Sequence, residues 1–163
     1  MHQEDKADFK DRVNETIVQE QKKLYLTALA ITKNPHLAED AMQEAFLKVL
    51  KNYASLKNIK HLRTWITKIL VNECKNILKK HKKEQNTEYV LETQSTEFDD
   101  EEIIFFDMIS NLNINDKTVV ALRFFNGYDL ETISIILGLP LSTVKSRLYR
   151  ALEKLRKAHN NGY

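Results

Sequence analysis

The sequence predicts an all-α protein of two small helical domains joined by an acidic linker. Glycine and proline are scarce, with 3 and 2 residues among 163, whereas barrels and sandwiches need many turns. Apolar residues recur at helical spacing along most of the chain. Eight acids and no lysine or arginine lie between Glu84 and Glu102, which indicates a break between packed units. The predicted boundaries are 1–84, 85–102 for the linker, and 103–163.

Composition disfavours several classes of protein. Cys74 is the only cysteine, so neither an internal disulfide nor a cysteine-rich zinc site is expected. No apolar run reaches the roughly 18 residues of a membrane span, and the charged N-terminus lacks the apolar core of a secretory signal. We therefore expect a cytoplasmic protein without metal or cofactor. A metal enzyme is disfavoured, because helical carboxylate sites usually pair Glu with His at fixed spacing on inward faces, and no Glu-x-x-His pair is present. Its candidate ligands would be Glu39, Asp40 and Glu44 with His36 or His61.

The charge distribution is more informative than the net charge of +2. Nine Lys/Arg and one acid lie between Lys57 and Lys83, and six Lys/Arg and one acid between Leu141 and Lys157. Either segment alone can be an ordinary solvated face. Two such segments, each on a sided helix, favour a polyanion such as nucleic acid.

In the N-terminal part, apolar residues four apart continue into a second apolar set: Phe9, Val13, Ile17, Leu24, Ala28 and Ile31. Three to four helices are expected here. Asn34-Pro35 predicts a helix start, because Asn caps well and proline suits the first helical position. That helix should run to about Tyr53, and after a loop over 55–60 a long helix should cover about 62–82.

The C-terminal part predicts a helix-turn-helix. Helices are expected over about 102–112 and 116–125. Asp129 should cap the next helix, Gly138 should end it at Leu137, and Ser142 should cap the last. A four-residue turn between two helices, 138–141, is typical of the motif.

The last helix is sided. Its predicted core arc contains Val144, Leu148, Ala151, Leu152 and Leu155. Its polar arc contains Thr143, Ser146, Arg147 and Arg150, with Lys145 at the border. In a helix-turn-helix the second helix enters the major groove with its N-terminal residues at the bases. A helical hairpin with a basic outer face is the alternative.

The long helix is sided too, with an apolar arc that includes Cys74, expected to be a core residue. Its opposite arc contains Lys68, Asn72, Lys75, Asn76 and Lys79, together with Trp65. Asn can bond base edges, Lys can hold phosphates, and aromatics can stack on unpaired bases. This face therefore suits DNA, including melted DNA, although Trp65 by itself is more typical of packing.

A third face lies on the helix that starts at Pro35. Met42, Phe46, Val49, Leu50 and Tyr53 form its expected core stripe. Asp40, Gln43, Glu44 and Leu47 share the opposite arc. An apolar residue among acids suits a partner surface, but the pattern alone favours an ordinary solvated face.

Taken together, these segments resemble an extracytoplasmic-function (ECF) sigma factor, the minimal two-domain type of bacterial transcription initiation factor. NPHLAEDAMQEAFLKVLKNY resembles the segment that docks on core RNA polymerase. HLRTWITKILVNECKNILKK is similar to the −10-element helix, with its aromatic, Ile, Asn and Asn at Trp65, Ile69, Asn72 and Asn76. TVKSRLYRALEKLR resembles the −35-reading helix. The family often has Ala and Arg where this chain has Leu70 and Val71.

The resemblance implies a role for each face. Glu39, Asp40, Gln43, Glu44 and Leu47 would bind the clamp of the largest core subunit. Lys68, Asn72, Lys75, Asn76, Lys79 and Trp65, with the 55–60 loop, would engage the single-stranded −10 element. Thr143, Lys145, Ser146, Arg147 and Arg150 would read the −35 duplex. It also implies an anti-sigma factor, often membrane-bound.

The linker fits this interpretation. About 18 extended residues span up to ~60 Å, more than the ~34–36 Å of one DNA turn. Three roles fit the acidic strand: a plain tether, a thread through a cationic polymerase channel, or a strand folded back on the basic faces.

The alternative function is a stand-alone helix-turn-helix transcriptional regulator. Such a protein usually binds duplex DNA as a dimer, without polymerase. The Asn- and Lys-lined face of the long helix argues against it, because a regulator whose N-terminal part is a sensor needs no DNA-binding face there.

Overall fold

The computed structural model of the protein describes residues 3–84 and 98–162. Within these ranges the chain is helical and contains no strand, which confirms the all-α prediction. The helices are α1 (Gln3–Thr32), α2 (Pro35–Asn52), α3 (Leu62–Glu84), α4 (Asp100–Ile109), α5 (Ile114–Phe124), α6 (Leu130–Leu137) and α7 (Leu141–Gly162). Two short 3-10 turns, Tyr53–Ser55 and Ile59–His61, connect α2 to α3. Residues 85–97, most of the predicted linker, lie outside the described residues.

Local capping chemistry sets most helix ends. The Asn34 side chain accepts hydrogen bonds from the amides of His36, 2.9 Å, and Leu37, 3.3 Å, at the start of α2. Asp129 caps α6, and Gly138 ends it in the left-handed region at φ 62°, which glycine adopts without strain. All three caps were predicted.

Two helix starts differ from the prediction. α4 begins at Asp100, inside the segment assigned to the linker, because Asp99 and Glu102 form a capping box. Ser142 does not cap α7, which begins one residue earlier. The carbonyl of Pro140 accepts the amides of Thr143, 3.0 Å, and Val144, 3.2 Å, so the hydrogen-bond ladder already starts there.

The N-terminal domain is a bundle of α1, α2 and α3. Small buried residues on α2, Ala38, Ala41 and Ala45, let its neighbours approach closely. Cys74 of α3 is buried, and burial together with the charge of Glu73 raises the pKa of its thiol to about 12. It is therefore an inert core residue, as predicted.

The helix-turn-helix packs as the pattern indicates, with α5 and α6 both contacting α7. Val144, Leu148 and Ala151 are buried. Two residues expected in apolar stripes, Leu152 of α7 and Leu50 of α2, are each 38% exposed. Both lie at the border of their stripe, where a small rotation of the helix leaves a side chain in solvent.

The two domains also pack against each other, although the sequence suggested separately folded units. α5 contacts α1, α6 contacts α3, and one apolar core runs through both domains. A row of rings connects α1 to α5: Tyr25 to Phe98 at 6.1 Å, Phe98 to Phe106 at 6.0 Å, and Phe106 to Phe125 at 5.2 Å between centroids.

The turn between α5 and α6, which we call the docking turn (residues 126–128), joins the domains through polar contacts. The amide group of Asn126 donates to the hydroxyl of Thr27 on α1. Arg63 of α3 donates to the backbone carbonyl of Asn126. The hydroxyls of Tyr128 and Thr67 share a 2.8 Å hydrogen bond. These contacts fix how the C-terminal domain is oriented on α1 and α3.

Arg63 is the centre of this contact. Its guanidinium lies 4.6 Å from the ring centroid of Tyr128 and forms a 3.0 Å ion pair with Glu20 of α1. A cation over an aromatic face and a partly buried ion pair both favour a fixed geometry. One side chain of the N-terminal domain therefore holds the docking turn and α1 together.

Removing the Tyr128 hydroxyl should loosen the domain contact. Tyr128→Phe keeps the ring beneath Arg63 but deletes the buried bond to Thr67, so we expect a loss of about 1 kcal/mol in the free energy of unfolding. Urea denaturation of the full chain measures it. Tyr149→Phe is the control, because that residue is 62% exposed. Equal stabilities of Tyr128→Phe and the native chain would contradict the assigned role of the hydrogen bond.

Lys117 is a buried lysine in the first turn of α5. It is 3% exposed, and burial together with the charge of Lys33, just past α1, lowers its pKa from 10.5 to about 7. Between these two values the unfolded chain holds a proton that the folded chain has lost. Stability from this group therefore rises with pH over that interval.

Lys117→Met should raise the thermal unfolding midpoint at pH 7, because no charge then has to be buried or neutralised. It should also flatten the rise of stability between about pH 7 and 9. Thermal unfolding monitored by circular dichroism at several pH values measures both effects. Lys10→Met, at an exposed position of α1, is the control. An unchanged pH dependence in Lys117→Met would show that another group titrates.

Candidate nucleic-acid and partner interface

The outward face of α7 carries the polar residues that the sequence assigned to it. Lys145, Ser146 and Arg150 are exposed, and Thr143 and Arg147 are half-buried. The Ser146 hydroxyl donates to the carbonyl of Ser142 at 2.9 Å, which leaves its oxygen free to accept. The face can therefore present cations and hydroxyls to a DNA groove.

Tyr149 belongs to this face, but the sequence analysis missed it. It is 62% exposed and lies three residues after Ser146 on the same side of the helix. An aromatic in an amphipathic helix is usually assigned to the core. The available signal was its position outside the arc of Val144, Leu148 and Ala151.

Arg150 has a partner that the sequence did not predict. Its Nε donates to Oδ2 of Asp116 at 2.9 Å, and its Nη2 donates to Oδ1 at 2.6 Å. Asp116 is fully buried in the first turn of α5 and also accepts a 3.2 Å bond from Asn113. The hydrogen bond from Arg150 holds the pKa of Asp116 below its ordinary value.

The outward face of α3 matches its predicted composition. Lys68, Asn72, Asn76 and Lys79 are exposed. Trp65 is half-buried and packs against the core, as an aromatic at the rim does. Leu70 and Val71, where the family often has Ala and Arg, are both buried. These two differences therefore belong to the core of the domain.

The basic faces of α3 and α7 affect each other electrostatically. Lys75 of α3 is half-buried, and burial together with the charge of Arg147 on α7 lowers its pKa below the ordinary value. Residues assigned to different DNA elements therefore lie within electrostatic range of each other. The like charges oppose each other, and an anion between them would relieve that repulsion.

The third predicted face lies along one side of a groove between α2 and α3. Glu39, Asp40, Gln43 and Glu44 are exposed, as is Leu47 at 51%. Asp40, Gln43 and Glu44 line one wall of the groove, and Asn76 and Lys80 line the other. An ion pair between Lys48 and the buried Glu73 ties the two helices together beside it. The acids of the third face and Asn76, which the resemblance assigns to the −10 element, therefore line the same groove.

The 55–60 loop runs from the end of the first 3-10 turn into the second. Asn58 caps the second turn by accepting a 3.0 Å hydrogen bond from the amide of Lys60.

No group of three metal-ligating side chains occurs in residues 3–84 and 98–162. Over the same residues, no helix combines the length and apolar character that crossing a membrane requires.

Family models match both domains. The model of Sigma-70 region 2 matches residues 16–84, and that of Sigma-70, region 4 matches residues 103–155. The first match contains α2 and α3, and the second contains the helix-turn-helix.

Several relatives match along most of the chain, among them two bacterial sigma factors. RNA polymerase sigma factor SigV of Bacillus subtilis is 32% identical over 137 residues, 81% of either chain. The ECF RNA polymerase sigma-E factor of Haemophilus influenzae is 30% identical over 134 residues, 71% of either chain.

Two solved structures share the fold. The sigma factor RpoE of Bartonella quintana, in complex with the anti-sigma factor NepR, aligns with a TM-score of 0.80 at 20% identity over 92% of this chain and 98% of that one. CnrH, in complex with the cytosolic domain of CnrY, aligns with a TM-score of 0.68 at 15% identity, over 93% of this chain and 89% of that one.

Proposed function

Because this chain belongs to the sigma-70 family as an ECF sigma factor, it directs RNA polymerase to promoters, and we propose a role for each of its three surfaces. The observation that carries the assignment is the set of exposed polar faces on α2, α3 and α7 within the two matched regions. In this proposal the domains are 1–84 and 103–163, joined by residues 85–102.

The α2 face docks on core polymerase, at the clamp of the largest subunit. Glu39, Asp40, Gln43 and Glu44 supply charge that selects a basic partner surface. Leu47 lies among them, and the exposed Leu50 follows one turn later. An apolar centre with a polar rim is the usual anatomy of a protein interface.

The α3 face holds the opened −10 strand. Asn72 and Asn76 are four residues apart and exposed, so both amides can reach the edges of unpaired bases. Lys68, Lys75 and Lys79 flank them and neutralise phosphates. Trp65 and the 55–60 loop complete the edge of the site, where a flipped base can stack.

The α7 face reads the −35 duplex from the major groove. Thr143, Lys145, Ser146 and Arg147 lie in its first two turns, where base contacts are made in this motif. Arg150 and Tyr149 lie just beyond them. Free amides at the start of the helix add a phosphate contact.

The two domains separate when the protein engages a promoter. In the packed arrangement the charge of Arg147 on α7 acts on Lys75 of α3, whereas the two DNA elements assigned to these helices lie more than one turn, about 34–36 Å, apart. Beside its apolar core, the interface contains polar contacts, whose groups can bond to water when the domains part.

An anti-sigma protein, in the membrane-bound form that the family resemblance implies, would keep the chain inactive in the cytoplasm. One chain of similar fold, the sigma factor RpoE, is described in complex with an anti-sigma factor. The chain itself acts as a binding factor without cofactor, and catalysis belongs to the polymerase.

Transcription from reconstituted enzyme tests the proposal. Core RNA polymerase with the full chain should give transcripts from discrete start sites on genomic DNA, preceded by shared −35 and −10 sequences. Core alone should not. Sequencing of the run-off transcripts measures this. Transcripts without specific starts, or a gel shift on duplex DNA that needs no polymerase, would contradict the proposal.

Asn72→Ala and Asn76→Ala should each slow promoter opening. Loss of a side-chain contact to a base costs about 1–3 kcal/mol, so open complexes should fall several-fold or more. A fluorescent adenine analogue placed in the −10 element reports the opening. Asn111→Ala, exposed in the turn after α4, is the control. Normal opening by the Asn72→Ala, Asn76→Ala double variant would exclude this face as the −10 site.

A further inference from the structure

We infer that Arg150 acts as a positioning residue: it fixes the recognition helix α7 on α5 through the buried Asp116, and it does not read −35 bases itself. This inference rests on the proposed function of α7. It concerns a residue that the sequence pattern alone would assign to direct base contact.

The first argument is the use of the guanidinium's donors. Nε and Nη2 form one of the two edges with which arginine can make a two-point contact to guanine or phosphate. In this structure both donate to Asp116, at 2.9 and 2.6 Å. Arg150 cannot offer that edge to DNA unless it leaves a fully buried carboxylate. A buried carboxylate without its partner is strongly disfavoured.

The second argument is the place of Asp116. It lies in the first turn of α5, where Asn113 caps the helix: the Asn113 side chain accepts from the Asp116 amide at 2.9 Å and donates to its carboxylate at 3.2 Å. The carboxylate is therefore held rigidly at one end of α5. The two hydrogen bonds from Arg150, in the middle of α7, to this fixed carboxylate therefore set one defined position for α7.

The third argument is what the apolar contacts cannot do. Val144, Leu148 and Ala151 bury one side of α7, which fixes its distance from α5 and α6. Apolar packing is not directional, so it restrains rotation and sliding of a helix less than a planar two-bond fork does. Small rotations would move Lys145, Ser146 and Arg147 relative to the bases.

The test uses holoenzyme formed from core polymerase and full-length protein, with a promoter found by transcript sequencing. The dissociation constant is measured on this fragment and on one with a scrambled −35 element, and their ratio gives the −35 discrimination. Asp116→Asn and Arg150→Gln should each reduce the ratio about tenfold. The double variant should reduce the ratio at most about twofold more than either single variant, because the two substitutions break the same interaction.

Arg150→Lys separates positioning from phosphate contact. It keeps the charge but cannot form the fork, so it should lose discrimination like Arg150→Gln. The salt dependence of binding should stay unchanged, because no phosphate contact is lost. Arg156→Gln is the matched control, because it breaks a similar fork to Glu153 that is exposed on both sides.

Three results would overturn the inference. Tighter binding by Asp116→Asn would mean that the acid merely withholds Arg150 from DNA. A salt slope reduced by about one in Arg150→Gln would indicate a phosphate contact. Equal weakening on both fragments would indicate general loss of structure. If Asp116→Asn does not fold, Asp116→Glu replaces it, because it keeps the charge but displaces the carboxylate; normal discrimination by this variant would mean that Arg150 reads bases itself. Absence of −35 discrimination by the native holoenzyme would contradict the proposed function instead.

Discussion

The docking turn between α5 and α6 is the constraint on which the arrangement of this protein depends. Two residues of this turn, which reverses the chain just before the helix-turn-helix, also contact α1 and α3: Asn126 bonds to Thr27 and Tyr128 to Thr67. Gly127 makes this possible, because its φ of 70° is accessible to glycine without strain. The position of α7 relative to α3 therefore depends on a turn that lies outside both predicted DNA-binding faces.

The contact between the domains fixes their relative orientation but can still be broken. Asn126 has a buried side-chain oxygen without a partner among the described residues, and Lys117 is a buried cation beside another lysine. Both oppose the apolar contribution of the aromatic row. The repulsion between the charges of Lys75 and Arg147 also opposes the packing of the two domains. In the proposed function, promoter phosphates would favour separation of the domains, because they would pair with these two cations.

Sequence reasoning succeeded where the physics is local. Asn34, Asp129 and Gly138 act within their own turn of chain, and helix sidedness depends only on spacing. It failed where contacts join distant segments. Asp116 and Arg150 are 34 residues apart, and Thr27 and Asn126 are 99 apart, so no periodicity connects them. The packing of the domains on each other was missed for the same reason, since a charged linker indicates a boundary but not whether its ends fold together.

The groove between α2 and α3 links two of the proposed activities mechanically. Asp40 and Glu44 on one wall and Asn76 on the other belong to helices tied together by the ion pair of Lys48 and Glu73 and by close packing on small residues. A surface that binds α2 therefore fixes the position of the α3 face relative to itself. In a sigma factor this coupling is useful, because the −10 strand must be held at a set distance from the polymerase active centre. α7 differs from these two helices, because it is connected to the groove through the docking turn. Its position can therefore change while the α2 and α3 faces keep their positions relative to each other.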